Sequence, residues 1–268
     1  WGSPTTLALF AAALVLLPAW GWWELRLRDP LVDLRVTARP QVLMTNTASV
    51  LVGFAMYAQS LVVPQLLQIP EATGYGLGQS MLAMGLWMAP AGLMMMAMSP
   101  VGAKLSAAKG PKVTLAVGSL LIAAGYGLSV PLIGSGSPWS LLIVTLVCNS
   151  GVGFAYGAMP ALIMSAVPQS ETASANSFNA LMRSIGTSFA AAVIGVVLAR
   201  MTTDFGGFPL ASENGFRVAM LIGCGVGLAA AVVAALIPVR TTKAPLQPPA
   251  ASSPAPETAP EAAPAAKA

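Results

Sequence analysis

Residues 113–133 read Val-Thr-Leu-Ala-Val-Gly-Ser-Leu-Leu-Ile-Ala-Ala-Gly-Tyr-Gly-Leu-Ser-Val-Pro-Leu-Ile, twenty-one residues without a charge, and Lys109 and Lys112 stand just ahead of them. As a helix this stretch rises about 30 Å, the thickness of a bilayer's hydrocarbon core. Apolar sequence with charge only at its edge suits lipid, where no water solvates an ionised side chain. Windows of the same kind cover Thr5 to Trp22, Leu43 to Leu66, Ser80 to Pro100, Trp139 to Ile163, Phe178 to Met201 and Phe216 to Val239. Composition agrees, with 56% of the 268 residues hydrophobic and 8% charged, against about 25% charged in ordinary globular domains. The expected fold class is an all-α integral membrane protein with seven transmembrane helices.

The charges orient the chain. Arg26, Arg28, Arg35 and Arg39, then Lys104, Lys109 and Lys112, then Arg183 near a helix start, then Arg240, Lys243 and Lys267 fall on alternate connections, leaving only Arg200 and Arg217 on the other side. The positive-inside rule places the larger set in the cytoplasm, so the C-terminus is expected inside and Trp1 outside. The formal net charge of +4 does not point to nucleic acid, because the basic residues lie mostly in loops rather than along one face. Trp20, Trp22 and Trp23 suit the headgroup level. Pro64, Pro90 and Pro160 lie inside windows and are read as bends. Residues 241–268, rich in Pro, Ala and Ser, lack the large apolar side chains that would offset ordering and are expected to form a disordered cytoplasmic tail. The chain opens at Trp1 directly into apolar sequence and is read as lacking its N-terminal part.

An enzyme is not expected. There is no His, no paired carboxylate within a window and no recognisable nucleophile motif, so the usual acid–base and covalent chemistry has no bearer. Cys148 and Cys224 both sit in apolar runs, and no metal-ligand spacing is present. No Asp or Glu falls inside a window. A proton-driven carrier usually needs an intramembrane carboxylate, so a coupling acid is expected outside these residues. A scaffold with no ion site is the other reading.

Asn46, Ser49, Gly53, Tyr57, Ser60 and Pro64 recur three or four apart in the second window and share one helical face. Asn149, Gly153, Tyr156 and Pro160 repeat the style in the fifth. Such faces serve either helix packing or a water-filled cavity, and Asn46, Tyr57, Asn149 and Tyr156 suit both. Met81, Met84, Met88, Met95 and Met98 form a stripe with Ala91, beside Trp87, either packed, lipid-facing or adaptable to apolar ligands. Gly153-x-x-x-Gly157 and Gly223-x-x-x-Gly227 fit close helix contacts.

The second and fifth windows also share Gly53-Phe54-Ala55-Met56-Tyr57 and Gly153-Phe154-Ala155-Tyr156, each followed by a proline. Each opens a group of three windows, and three spans invert topology, as in the inverted repeats of a six-helix transporter half. The chain here resembles the fourteen-helix drug:proton antiporters of the major facilitator superfamily. Glu24-Leu25-Arg26-Leu27-Arg28-Asp29-Pro30-Leu31-Val32-Asp33-Leu34 is similar to their cytoplasmic linker, and Lys104-Leu105-Ser106-Ala107-Ala108-Lys109-Gly110-Pro111-Lys112 to their basic loop. Gly151-x-Gly153-x3-Gly157-x2-Pro160 resembles their Gly-rich helix, and Asn179-x3-Arg183-x2-Gly186 their N-x3-R-x2-G stretch. Ala107 and Ala108 depart from the acid and base of the basic loop.

By this resemblance, residues 1–41 are a linker helix and loop. Residues 42–240 are the C-terminal six-helix domain, built of two inverted three-helix repeats, and 241–268 the tail. The implied function is proton-coupled efflux of drugs or other amphipathic, often cationic, molecules by alternating access. The proton gradient supplies the energy without a cofactor, in the inner membrane. The implied partners are the bilayer, the small amphipathic substrate and the missing N-terminal six-helix domain of the same protein. Asn46, Tyr57, Gln59, Met84, Trp87, Met88, Asn149 and Tyr156 are the expected cavity residues. Lys104, Lys109, Gly110, Lys112 and Arg183 are the expected state-switching cytoplasmic loop. A metabolite carrier for a sugar, amino acid or siderophore, and a non-transporting scaffold, are the alternatives.

Overall fold

Ser3, Ser80 and Ser212 each turn a side-chain oxygen onto a backbone N–H of the helix that follows, and proline occupies the first turn of four of the helices. Both devices deal with N–H groups that a helix start leaves unbonded. The structure, a computed structural model, describes residues 3–27, 34–134 and 136–238. The helices are α1 (Pro4–Glu24), α2 (Leu34–Thr37), α3 (Pro40–Gln68), α4 (Met81–Lys109), α5 (Pro111–Leu132), α6 (Pro138–Met164), α7 (Thr172–Arg200) and α8 (Glu213–Leu236). All but α2 are long and apolar enough to cross a membrane, seven in the described residues. The expected tail and the middle of the linker motif lie outside the described residues.

Four helix boundaries differ from the sequence reading. The Lys104–Lys112 segment is not a loop: α4 runs on to Lys109, and only Gly110, at φ 89°, separates it from Pro111 at the start of α5. That φ is open to glycine and costly for most other residues. Arg183 is not near a helix start. Because α7 begins at Thr172, Arg183 lies about 16 Å along its axis, inside the bundle rather than in a connection. Helix α1 runs on to Glu24, which is only 3% exposed, and Glu213 opens α8, so acids close one span and begin another. A β-hairpin, β1 (Thr202–Phe205) with β2 (Phe208–Ala211), was not expected from the windows; Gly206 and Gly207 make its turn at positive φ. Gly-Gly between two short runs is a two-residue hairpin signal, and it falls outside the long apolar windows.

The helices α3–α5 and α6–α8 form two matching triplets. Helix α7 of the second packs on α3 of the first, and α4 of the first packs on α6 of the second. Likewise α8 lies on α3 and α5 on α6, with α5 and α8 side by side. Both seams close over glycine. A Cβ at Gly53 would strike the Arg183 carbonyl, and one at Gly153 would come within 2.7 Å of the Met95 carbonyl. The order of buried, half-buried and exposed residues over 52–63 recurs unchanged over 152–163. Thus the Gly-Phe-Ala likeness marks equivalent places in two inverted repeats.

Lipid tails are as apolar as leucine, so association rests on close backbone approach and interhelical hydrogen bonds rather than on hydrophobic burial. Gly118 and Gly151 bring α5 and α6 backbone to backbone, and Gly223 and Gly227 seat α8 on Tyr126 and Ala123 of α5. Tyr126, fully buried, carries its hydroxyl across to the Ala55 carbonyl of α3. Helix α1 buries only Glu24.

Candidate functional site

Helices α5 and α8 cover one side of α3 and α6, while the other side stays open. Met56, Tyr57, Leu61 and Pro64 of α3 are half-exposed there and Ser60 is exposed; Tyr156, Gly157 and Ala161 of α6 are half-exposed and Pro160 exposed. The spacing is one helical stripe on each helix. The Tyr156 hydroxyl donates to the Met56 sulfur at 3.3 Å. These two residues are equivalents in the repeats, so they meet where the two triplets meet.

Arg183 of α7 joins them. Its carbonyl abuts Gly53, its side-chain stem passes over the same glycine, and its guanidinium carbon lies 4.4 Å from the centre of the Tyr156 ring. A permanent cation over an aromatic face is favourable by about 0.5–2 kcal/mol. One turn earlier on α7, Asn179 donates to the Asn46 Oδ1 at 2.8 Å and the Ser49 Oγ at 2.6 Å. One turn later, Gly186 lets the Val50 carbonyl of α3 press against it. The Asn-x3-Arg-x2-Gly stretch is therefore the α7 side of the α3–α7 seam.

The other expected cavity residues are distributed. Asn46 and Gln59 are buried in helix packing rather than on the open stripe, and Asn149 bonds back to the Thr145 carbonyl of its own helix. Met84 accepts from Gln68 Nε2 at 2.8 Å. Trp87 donates to Gln79 and meets the edge of Trp139 at 4.9 Å, near the end where α3 finishes and α4 begins. Met88 is half-buried on the same side of α4, and Met95 and Met98 pack on Gly153. Only Tyr57 and Tyr156 of the expected set stand on the open stripe. Lys104 and Lys109 are exposed on the last turns of α4, and Lys112 is half-exposed at the start of α5. Ser106 donates to Thr114 at 2.9 Å across Gly110, binding these turns together.

At the opposite end Tyr75 donates to the Ala211 carbonyl at 2.6 Å and so ties the hairpin to the connection after α3. Burial, and then the charge of Glu213, push the Tyr75 hydroxyl above its usual range and keep it a donor. A groove of about 530 Å³, lined by Leu61, Gln65, Gly195, Leu198 and Pro209, opens below the hairpin.

Two inverted triplets around an open polar-aromatic stripe agree with the comparison to known families: residues 2–191 match the Major Facilitator Superfamily. The chain belongs to that superfamily. It is a multi-pass membrane protein of a family of transporters. A tetracycline resistance determinant of Streptomyces rimosus is 27% identical over 196 residues, 72% of this chain and 55% of the relative. The multidrug resistance protein Stp of Mycobacterium tuberculosis is 26% identical over 74% of this chain and 36% of its own length. A multidrug resistance protein B homolog from the same species is 26% identical over 88% and 41%. The chain thus spans about half or less of the relatives it matches.

Sequence reasoning gave Arg183 a loop role and left Met56 and Asn179 out of the site. The signal for Met56 was its alignment with Tyr156 in the Gly-Phe-Ala repeat. For Asn179 and Arg183 it was their four-residue spacing, which puts both on one face of one helix.

Proposed function

We propose that this chain is the C-terminal part of a proton-coupled efflux transporter of the fourteen-helix drug:proton antiporter kind. Helix α1 would be a central linker helix and α3–α8 one of two six-helix domains. The basic end, with Lys104, Lys109 and Lys112, faces the cytoplasm of a cell whose plasma membrane holds the protein. The open stripe of α3 and α6 would form half of a central substrate cavity, facing a second six-helix domain, and rocking of the domains would expose it to each side in turn. The observation that carries the reading is this stripe, where Tyr57, Tyr156, Met56 and Arg183 gather between inverted repeats. The names of the relatives support drugs as the cargo. Aromatic and thioether side chains can adapt to ligands of varied shape.

The coupling acid would lie outside the described residues, because their acids sit at helix ends or in connections. The test is accumulation of tetracycline and ethidium in cells expressing the complete protein, with and without a protonophore. Lower accumulation that the protonophore abolishes is expected. Accumulation the same with and without the protein overturns the efflux reading, and efflux indifferent to the protonophore overturns proton coupling.

A further inference from the structure

Arg183 carries a charge that its packing does not require. Its place in the α3–α7 seam is taken in the α4–α6 seam by Met95, whose carbonyl meets Gly153 as that of Arg183 meets Gly53. Three residues on, Met98 packs its Cβ on Gly153, while Gly186 stands against the Val50 carbonyl of α3. An apolar side chain therefore satisfies this site in the other repeat. A guanidinium inside a membrane bundle is costly to desolvate, and the Tyr156 ring offsets only part of that cost. Among the described residues, the acids Glu24, Glu71, Glu171, Asp204 and Glu213 stand at helix termini or between helices, none on the open stripe. A half-buried cation beside an open face, against an aromatic ring and with no carboxylate on that face, is arranged to receive an anion.

We infer that Arg183 and Tyr156 form an anion subsite on the open stripe, and that it takes amphipathic molecules bearing a carboxylate or similar acidic group. The inference rests on the transport reading for its biological use, and it reverses the cationic preference suggested by the family resemblance. The acid group would pair with the guanidinium, whose forked donors match a carboxylate. The apolar body would lie along Met56, Tyr57 and Leu61. The Tyr156 hydroxyl, now on the Met56 sulfur, is placed to turn toward the second carboxylate oxygen.

The test is binding of three probes that share one body, 1-pyrenebutyrate, its methyl ester and 1-pyrenebutylamine, to the purified complete protein by fluorescence titration. The carboxylate is expected to bind at least about tenfold more tightly than the ester or the amine, the scale of one charge-assisted hydrogen bond. Arg183→Met, which copies Met95, should abolish that preference while leaving ester affinity and the melting temperature close to native. Arg183→Lys should keep part of it. Equal affinity for the three probes in the native protein, preference for the amine, or no binding of any probe overturns the inference. So does a carboxylate preference that survives Arg183→Met. None of these outcomes depends on a proton gradient, so failure here is distinct from failure of the efflux assay.

Discussion

The α3–α7 and α4–α6 seams are the same contact made twice with different chemistry. In both, a helix of one triplet lays a carbonyl against a glycine of the other, Arg183 on Gly53 and Met95 on Gly153. The α4–α6 seam is otherwise apolar: Met95 and Met98 meet Gly153, and Gly102 meets the Phe154 ring. The α3–α7 seam carries Asn179, Asn46, Ser49 and Arg183. Backbone fit sets the geometry of both, and the polar groups are an addition to one. The pair therefore separates the backbone fit common to both seams from the polar groups that only one of them carries.

The largest effect should come from filling a seam. Gly186→Leu would drive a side chain into the Val50 carbonyl and Phe54 N of α3, and because the obstacle is backbone the cost goes beyond the about 1–3 kcal/mol usual for overpacking, far enough to part the seam. Loss of the folded fraction in detergent, read by fluorescence-detected size exclusion, is expected. Gly157→Ala, whose nearest atom is Ser99 O at 3.8 Å, should leave that profile unchanged. A tolerant Gly186 would break the claim that backbone fit sets the seam.

Moving the charge to the other seam comes next. Met95→Arg places a cation where the ring of Tyr156 has Met56 as its counterpart, and should destabilise by about 2.5–3.5 kcal/mol. A melting temperature equal to native would show that the α4–α6 seam supplies a cation partner as well.

Asn179→Ala leaves the Asn46 carbonyl oxygen and the Ser49 hydroxyl without their donor, at a cost of about 1–3 kcal/mol. By the correspondence of the repeats, Asn46→Leu with Asn179→Ala copies Leu146 and Ala91, and the double variant should regain stability relative to Asn179→Ala alone. A simple sum of the two single effects in thermal unfolding would show that the seams are not interchangeable.

Tyr156→Phe should have the smallest effect. It keeps the ring beneath Arg183 and loses only the hydroxyl on the Met56 sulfur, about 0.5–1 kcal/mol. A larger loss would mean that the hydroxyl, not the ring, holds the arginine.

The seven spans were legible because charge exclusion from lipid writes itself as local composition, window by window. The repeat was legible in Gly53-Phe54-Ala55 and Gly153-Phe154-Ala155 because close approach needs glycine at equivalent depths. The site was only partly so. Asn46 and Tyr57 share a helix face by spacing, yet Asn46 turns into α7 while Tyr57 stays open. Periodicity fixes which residues point the same way but not what lies opposite them. Arg183 is a charge in an apolar window and by hydropathy reads as a boundary residue, because the helix start at Thr172 falls in polar sequence that hydropathy does not recognise.

The sequence alone determined the seven membrane-long helices, the two triplets and the glycines at which backbones can touch, because each follows from local chemistry at a fixed period. Only the tertiary structure decided that Arg183 crosses Gly53 to reach Tyr156, and that Met95 stands in its place in the other repeat. Those facts depend on which helices become neighbours. That choice is made by shape and pairing across residues more than 25 apart in the chain, beyond the reach of any single window.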